Sequence, residues 1–135
     1  MTENELFELA MEARWGAYAP YSSYQVGAAL ITEDGSLYTG CNIENASYGA
    51  TNCAERTAIF KAVSEGHRKI VMIAIAGGSG EQTNYAYPCG ICRQVMREFS
   101  DPEQLKVIVG DGRGELKIHT LEELLPESFG PDFME

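Results

Sequence analysis

One cysteine that opens a helical pattern, and two more that open another, set the strongest constraint on this chain. Asn52-Cys53-Ala54-Glu55-Arg56 stands at the head of one such pattern. About thirty-five residues later, Pro88-Cys89-Gly90-Ile91-Cys92 has the same look of a loop running into a helix. Cys89 and Cys92 are three apart, so at a helix start they face the same way. Cys53 and Glu55 would point roughly 200° apart in mid-helix, at ~3.6 residues per turn, and converge only near a helix end. The pattern puts them at that end. Both helix N-termini carry partial positive charge and free amides, which favour thiolate over thiol.

Three thiols and one carboxylate in this order read as a zinc site with a proton carrier beside it. A catalytic zinc keeps three protein ligands and one open position, with thiolates at about 2.3 Å. Three thiolates and Zn2+ sum to −3 + 2 = −1, which weakens the metal as an electrophile. A cation is needed nearby, and Arg56 is the candidate for donating to the ligand sulfurs from outside.

Composition narrows the setting. At 135 residues the chain is one domain, residues 1–135, with room for a single core. Its net charge of −10 repels phosphate backbones and argues against a nucleic-acid partner. Met-Thr-Glu-Asn-Glu lacks an apolar signal core, and no window approaches the ~18 apolar residues of a membrane span. The expectation is a soluble cytoplasmic protein with no membrane partner. In that reducing compartment four cysteines serve metal or catalysis rather than disulfides.

Thr2-Glu3-Asn4-Glu5 is a capping box, and Leu6, Leu9, Ala10, Ala13 and Ala17 continue at helical spacing to about Tyr18. Pro20 breaks that run. Val26 to Ile31 and Leu37 to Cys41 flank Asp34-Gly35, a hairpin signal. A polar loop, Asn42 to Gly49, leads to a second helix from about Cys53 to Glu65. Ile70 to Ala76 is an almost unbroken apolar run, suited to a strand buried on both faces. Gly77 to Asn84 reads as a flexible loop. A third helix runs from near Cys89 to near Phe99, and Lys106 to Gly110 with Glu115 to His119 forms a second hairpin. Thr120-Leu121-Glu122-Glu123 caps a short final helix. The order predicts an α/β fold: a single-domain three-layer αβα arrangement of one five-stranded mixed sheet with helices on both faces.

Several stretches together resemble the cytidine deaminase family in its small homotetrameric, zinc-dependent form. They are Cys53-Ala54-Glu55-Arg56-Thr57-Ala58, Pro88-Cys89-Gly90-Ile91-Cys92-Arg93-Gln94-Val95, Gly40-Cys41-Asn42-Ile43-Glu44-Asn45-Ala46-Ser47-Tyr48, Tyr18-Ala19-Pro20-Tyr21-Ser22 with Val26-Gly27-Ala28-Ala29-Leu30, and Glu122-Glu123-Leu124-Leu125-Pro126. The resemblance spans essentially the whole chain. It implies hydrolysis of cytidine and 2′-deoxycytidine to the uridines with release of ammonia, in pyrimidine salvage. It implies one Zn2+ per subunit on Cys53, Cys89 and Cys92, a zinc-activated water attacking C4, and Glu55 as proton shuttle. Asn42 and Glu44 match the pair that hydrogen-bonds the ribose 3′-hydroxyl, and Ala54 matches a substrate-contact position. Tyr24 and Phe129 match aromatics flanking the pyrimidine, and Tyr48 a residue donated to a neighbouring subunit's site. The implied assembly is a homotetramer with sites shared between subunits.

Two positions depart from the family pattern. Tyr24 stands where Phe is commoner, so its hydroxyl needs a partner. Ile91 stands where Ala is commoner, inside the metal loop. Cys41 lacks ligand spacing and reads as structural, and His67 and His119 read as surface or hairpin residues. Two other functions compete: a deaminase of the blasticidin S type, which shares the zinc motifs, and a zinc-stabilised binding module without turnover. Asn42-x-Glu44 with Ser47-Tyr48 favours a nucleoside over the former, and Glu55, idle in a structural zinc site, argues against the latter.

Overall fold

A computed structural model describes residues 1–134. The first helix, α1, spans Glu3–Ala13 and begins on the expected capping box: Thr2 accepts from the Glu5 amide while Glu5 reaches back to the Thr2 amide. It ends earlier than the spacing of Ala13 and Ala17 predicts, because Arg14–Gly16 tightens into a 3-10 turn. The side chain of Arg14 is fully buried there. It donates to the carbonyls of Gln25 (3.4 Å), Gly78 (2.9 Å) and Gly80 (2.6 Å).

Strands β1 (Gln25–Thr32) and β2 (Leu37–Cys41) form the first hairpin, with Gly35 at φ 91° in the turn, a conformation glycine adopts freely. Helix α2 (Ala54–Ser64) leads to β3 (Ile70–Ser79). The segment expected to be a flexible loop is instead a hairpin: β3 continues through Gly77, Gly78 and Ser79 and pairs with β4 (Gln82–Asn84). Gly80 turns it at φ 60°, as a two-residue hairpin requires. Helix α3 (Gly90–Glu98), β5 (Lys106–Gly110), β6 (Leu116–Thr120) and α4 (Leu121–Leu124) complete the chain, and Thr120 with Glu123 makes a second capping box.

The sheet has six strands rather than five. Its order is β2-β1-β3-β5-β6, with β4 paired to β3. Only β3 and β5 run parallel, joined by the crossover that carries α3. Strict alternation divides two cores between the faces. Ala28, Leu30, Ile73, Ile75, Val107 and Val109 face α2, α3 and α4. Ala29, Ala74, Ala76 and Ile108 face Leu6, Phe7 and Ala10 of α1. The result is the three-layer αβα arrangement.

Gly40 of β2 sets the seat of α2. A β-carbon there would lie 2.6 Å from the Ala58 nitrogen and 2.8 Å from the Ala54 carbonyl oxygen. The first turn of α2 thus lies directly on the backbone of β2, and that contact holds Cys53 and Glu55 in place.

Candidate active site

Cys53 and Cys89 are the N-cap residues of α2 and α3, both extended, and neither side chain caps the backbone amides of its own helix. Each thiol is therefore free to turn toward the other helix. Cys53 lies outside the helix proper and Glu55 one residue inside it, which is how two side chains spaced by two can serve one site. The sulfurs of Cys53, Cys89 and Cys92 lie within 4.8 Å of one another, and Cys53 Sγ is 3.9 Å from Cys89 Sγ. Thiolates at about 2.3 Å around a tetrahedral ion stand ~3.8 Å apart, close to the Cys53–Cys89 separation, so the three sulfurs are grouped as a zinc site needs. Cys41 is outside this cluster.

The electrostatics agree with that geometry. A hydrogen bond from Cys92, and after it the Arg56 guanidinium, bring the Cys53 thiol down to about 5. The thiolate on Cys53, together with burial, pushes Cys92 up. The two sulfurs thus share a proton that a divalent cation would replace. Arg56 Nη2 donates to Cys53 Sγ at 3.3 Å, as the charge arithmetic requires. Burial opposes the Arg56 charge, but its bonds to Cys53 and Cys92 more than compensate and raise its pKa. Glu55 is 4% exposed, and burial raises its carboxyl to about 7, where it can both take and give a proton near neutral pH.

A cavity of about 300 Å3 opens beside these groups. It gathers Tyr24, Asn42, Cys53, Ala54, Glu55 and Cys89 from the residues singled out in the sequence. Asn42 Oδ1 accepts from the Val26 amide and its Nδ2 donates to the Tyr24 carbonyl, both at 2.9 Å. An amide has capacity for one further bond at each end. The hydroxyl of Tyr24 donates to Asn84 Oδ1 at 2.8 Å, which supplies the partner that this position needed.

Glu44, Tyr48 and Phe129 lie elsewhere. Glu44 and Tyr48 line a neighbouring cavity of about 410 Å3 with Tyr21 and Ser22, and Thr51 borders both cavities. The Glu44 carboxylate accepts from the Ser22 hydroxyl and from the amides of Tyr21 and Ser22. The Ser22 hydroxyl, ahead of those amides, holds its pKa below the ordinary value. Tyr48 is 75% exposed and packs edge-on to Tyr21, and Phe129 is 59% exposed and stacks on Phe133. Ile91 is exposed and does not line the cavity beside the ligands.

Sequence reasoning missed the segment Tyr85-Ala86-Tyr87, which walls the cavity just before Pro88. Its aromatics are held from β6: Lys117 Nζ sits 4.3 Å over the Tyr85 ring, and the Tyr87 hydroxyl is 3.2 Å from His119 Nε2. The adjacency of Tyr85 and Tyr87 to a ligand motif was the available signal. Asn52, next to Cys53, also borders the cavity and donates to Thr57 Oγ1 at 3.1 Å.

Residues 1–109 match the family model for the cytidine and deoxycytidylate deaminase zinc-binding region. The chain belongs to the cytidine deaminase family. It is 51% identical over 134 residues to a cytidine deaminase of Halalkalibacterium halodurans, covering 99% of this chain and 98% of that one. Among solved structures, the cytidine deaminase of Burkholderia pseudomallei superposes with a TM-score of 0.87 at 46% identity, over 96% of this chain and 100% of that one. The cytidine deaminase of Mycobacterium tuberculosis superposes with a TM-score of 0.80 at 38% identity, over 96% and 98% of the two chains. The chain is thus a hydrolytic deaminase with a zinc site at Cys53, Cys89 and Cys92. Among the described residues, no helix is long and apolar enough to cross a membrane.

Proposed function

We propose that this enzyme hydrolyses cytidine and 2′-deoxycytidine to uridine and 2′-deoxyuridine, releasing ammonia. The observation that carries the reading is a buried carboxylate, Glu55, held near pKa 7 on the wall of the cavity that Cys53 and Cys89 also line. Zinc on the three thiolates would supply a Lewis acid that acidifies water. Arg56 offsets part of the thiolate charge. Glu55 takes the proton from the attacking water and passes it to N3 of the ring. Once the C4–O bond has formed, the same carboxyl takes the remaining proton of the new C4 hydroxyl and delivers it to the amine as the C4–N bond breaks, so that C4 becomes the carbonyl and the nitrogen leaves as ammonia.

The remaining roles follow from chemistry and position. Asn42 offers its unused N–H and lone pair to the ribose 3′-hydroxyl, and Glu44, kept ionised by Ser22, is the acceptor that completes the pair. Ala54 and Tyr24 wall the base. Tyr48 and Phe129 are exposed and outside the cavity of their own chain, which supports a homotetramer in which they close a neighbour's site against water. The single 135-residue domain, residues 1–135, is the catalytic unit of each subunit. Free thiols suit the reducing cytoplasm, where the reaction would return cytosine nucleosides to the uracil pool. A charge of −10 disfavours a polynucleotide substrate.

Ammonia release from cytidine, 2′-deoxycytidine, free cytosine and blasticidin S in parallel tests this reading. It requires turnover of the two nucleosides well above the other two; preference for blasticidin S would replace it with the related deaminase. Sizing of the active species tests the assembly, and a fully active monomer would contradict the shared site.

A further inference from the structure

Tyr24 borders two cavities at once. One is the Glu55 cavity, and the other, about 330 Å3, lies beneath the β3–β4 hairpin and is lined by Gly78, Ser79, Gln82, Thr83 and Asn84. The ring is thus a partition, and what fixes it comes from the hairpin side. We propose that Asn84 is a positioning residue for the deamination: from β4 it holds the Tyr24 hydroxyl and, through it, the aromatic wall against which the base lies. The proposal rests on the cytidine reading above.

Three contacts hold Tyr24. Its amide donates to Ser22 Oγ at 3.0 Å, its carbonyl accepts from Asn42 Nδ2, and its hydroxyl donates to Asn84 Oδ1 at 2.8 Å. The first two fix the backbone; only the third fixes the far edge of the ring. Gly77 makes room for it, since a β-carbon there would lie 2.9 Å from the hydroxyl oxygen and 3.1 Å from the ring. A phenylalanine would fit the same space but leave the ring free to rock into the hairpin cavity.

Asn84 can serve as a fixed point because the hairpin is itself anchored. β4 pairs with β3 at Gly77, Gly78 and Ser79, and the buried Arg14 donates to the carbonyls of Gly78, in β3, and Gly80, in the turn itself. Thr83 Oγ1 adds a bond to the Asp111 carbonyl at 2.7 Å. The brace therefore runs from the 3-10 turn after α1 through the hairpin to Asn84 and Tyr24. Asn84 borders only the hairpin cavity, so it acts through Tyr24.

The test is a double-mutant cycle on the zinc-loaded enzyme with wild type, Asn84→Ala, Tyr24→Phe and the double variant, read in KM and kcat for cytidine and in urea midpoint. Loss of one partly exposed hydrogen bond should raise KM about two- to tenfold in each single variant, with the change in KM rather than kcat. The double variant should be no worse than either single one. Asn84→Asp, which still accepts from the hydroxyl, should restore the wild-type KM. Multiplying KM effects would overturn the proposal, as would a lowered urea midpoint in Asn84→Ala with KM unchanged. Absence of cytidine turnover in the wild type would overturn the underlying reading, and the proposal with it; turnover with an additive cycle overturns the proposal alone.

Discussion

Glu55→Gln should stabilise the chelator-treated protein at mildly alkaline pH and change it little in mild acid. Glu55 is 4% exposed, and burial lifts its carboxyl from 4.5 to about 7. A raised carboxyl means that the native state keeps a proton which the unfolded chain has already released. Stability is therefore full below about pH 4.5 and falls as pH rises toward 7. The gap between about 7 and 4.5, at ~1.4 kcal/mol per pH unit, makes the ionised group cost about 3 kcal/mol at about pH 8. At about pH 5 the same linkage costs less than ~1 kcal/mol. Glutamine keeps the shape and removes the charge. At about pH 8 Cys53, brought down to about 5, is ionised in both proteins and adds to the cost of the Glu55 charge, while Cys92, pushed up, keeps its proton in both. Urea midpoints of the two proteins at both pH values, with equal slopes, measure the effect directly. A difference that is the same at both pH values, or a glutamine variant less stable at about pH 8, would refute the reasoning.

Two further substitutions probe the frame of the site. Gly40→Ala should lose about 1–3 kcal/mol in urea unfolding, because backbone atoms of α2 cannot yield to the new methyl, whereas Gly49→Ala, with nothing within 4 Å, should not. Arg56→Gln removes the donor at 3.3 Å from Cys53 Sγ and should weaken zinc retention roughly 10- to 100-fold against a chelator; release at the wild-type rate would remove Arg56 from the site.

What the sequence made legible is local in origin. Both capping boxes, the cysteines that open α2 and α3, and the apolar run of β3 buried on both faces are written in short stretches, and they stand as expected. The misreadings come from contacts distant in sequence. Gly77 and Gly78 carry no side chain to show a strand period, and what makes β3 continue through them is pairing with β1 and β4. Arg14 ends α1 because its guanidinium is wanted by carbonyls more than sixty residues away. The hydroxyl of Tyr24 finds Asn84 across a similar distance. At the site, ligand spacing was sufficient to bring Cys53, Cys89 and Cys92 together, while the loop placement of Glu44 in a neighbouring cavity was not. The tyrosines before Pro88 form no periodic pattern of their own, and their contacts are with Lys117 and His119, some thirty residues on.

The central claim is that Glu55 moves protons for a reaction that the thiolate-held zinc makes possible. Zinc content and cytidine-dependent ammonia release, measured side by side on purified wild type and Glu55→Gln, test it most directly. The account predicts one zinc per subunit in both proteins, with ammonia released by the wild type and lost by the variant to background. Zinc-loaded Glu55→Gln that still releases ammonia at a rate near wild type would contradict it.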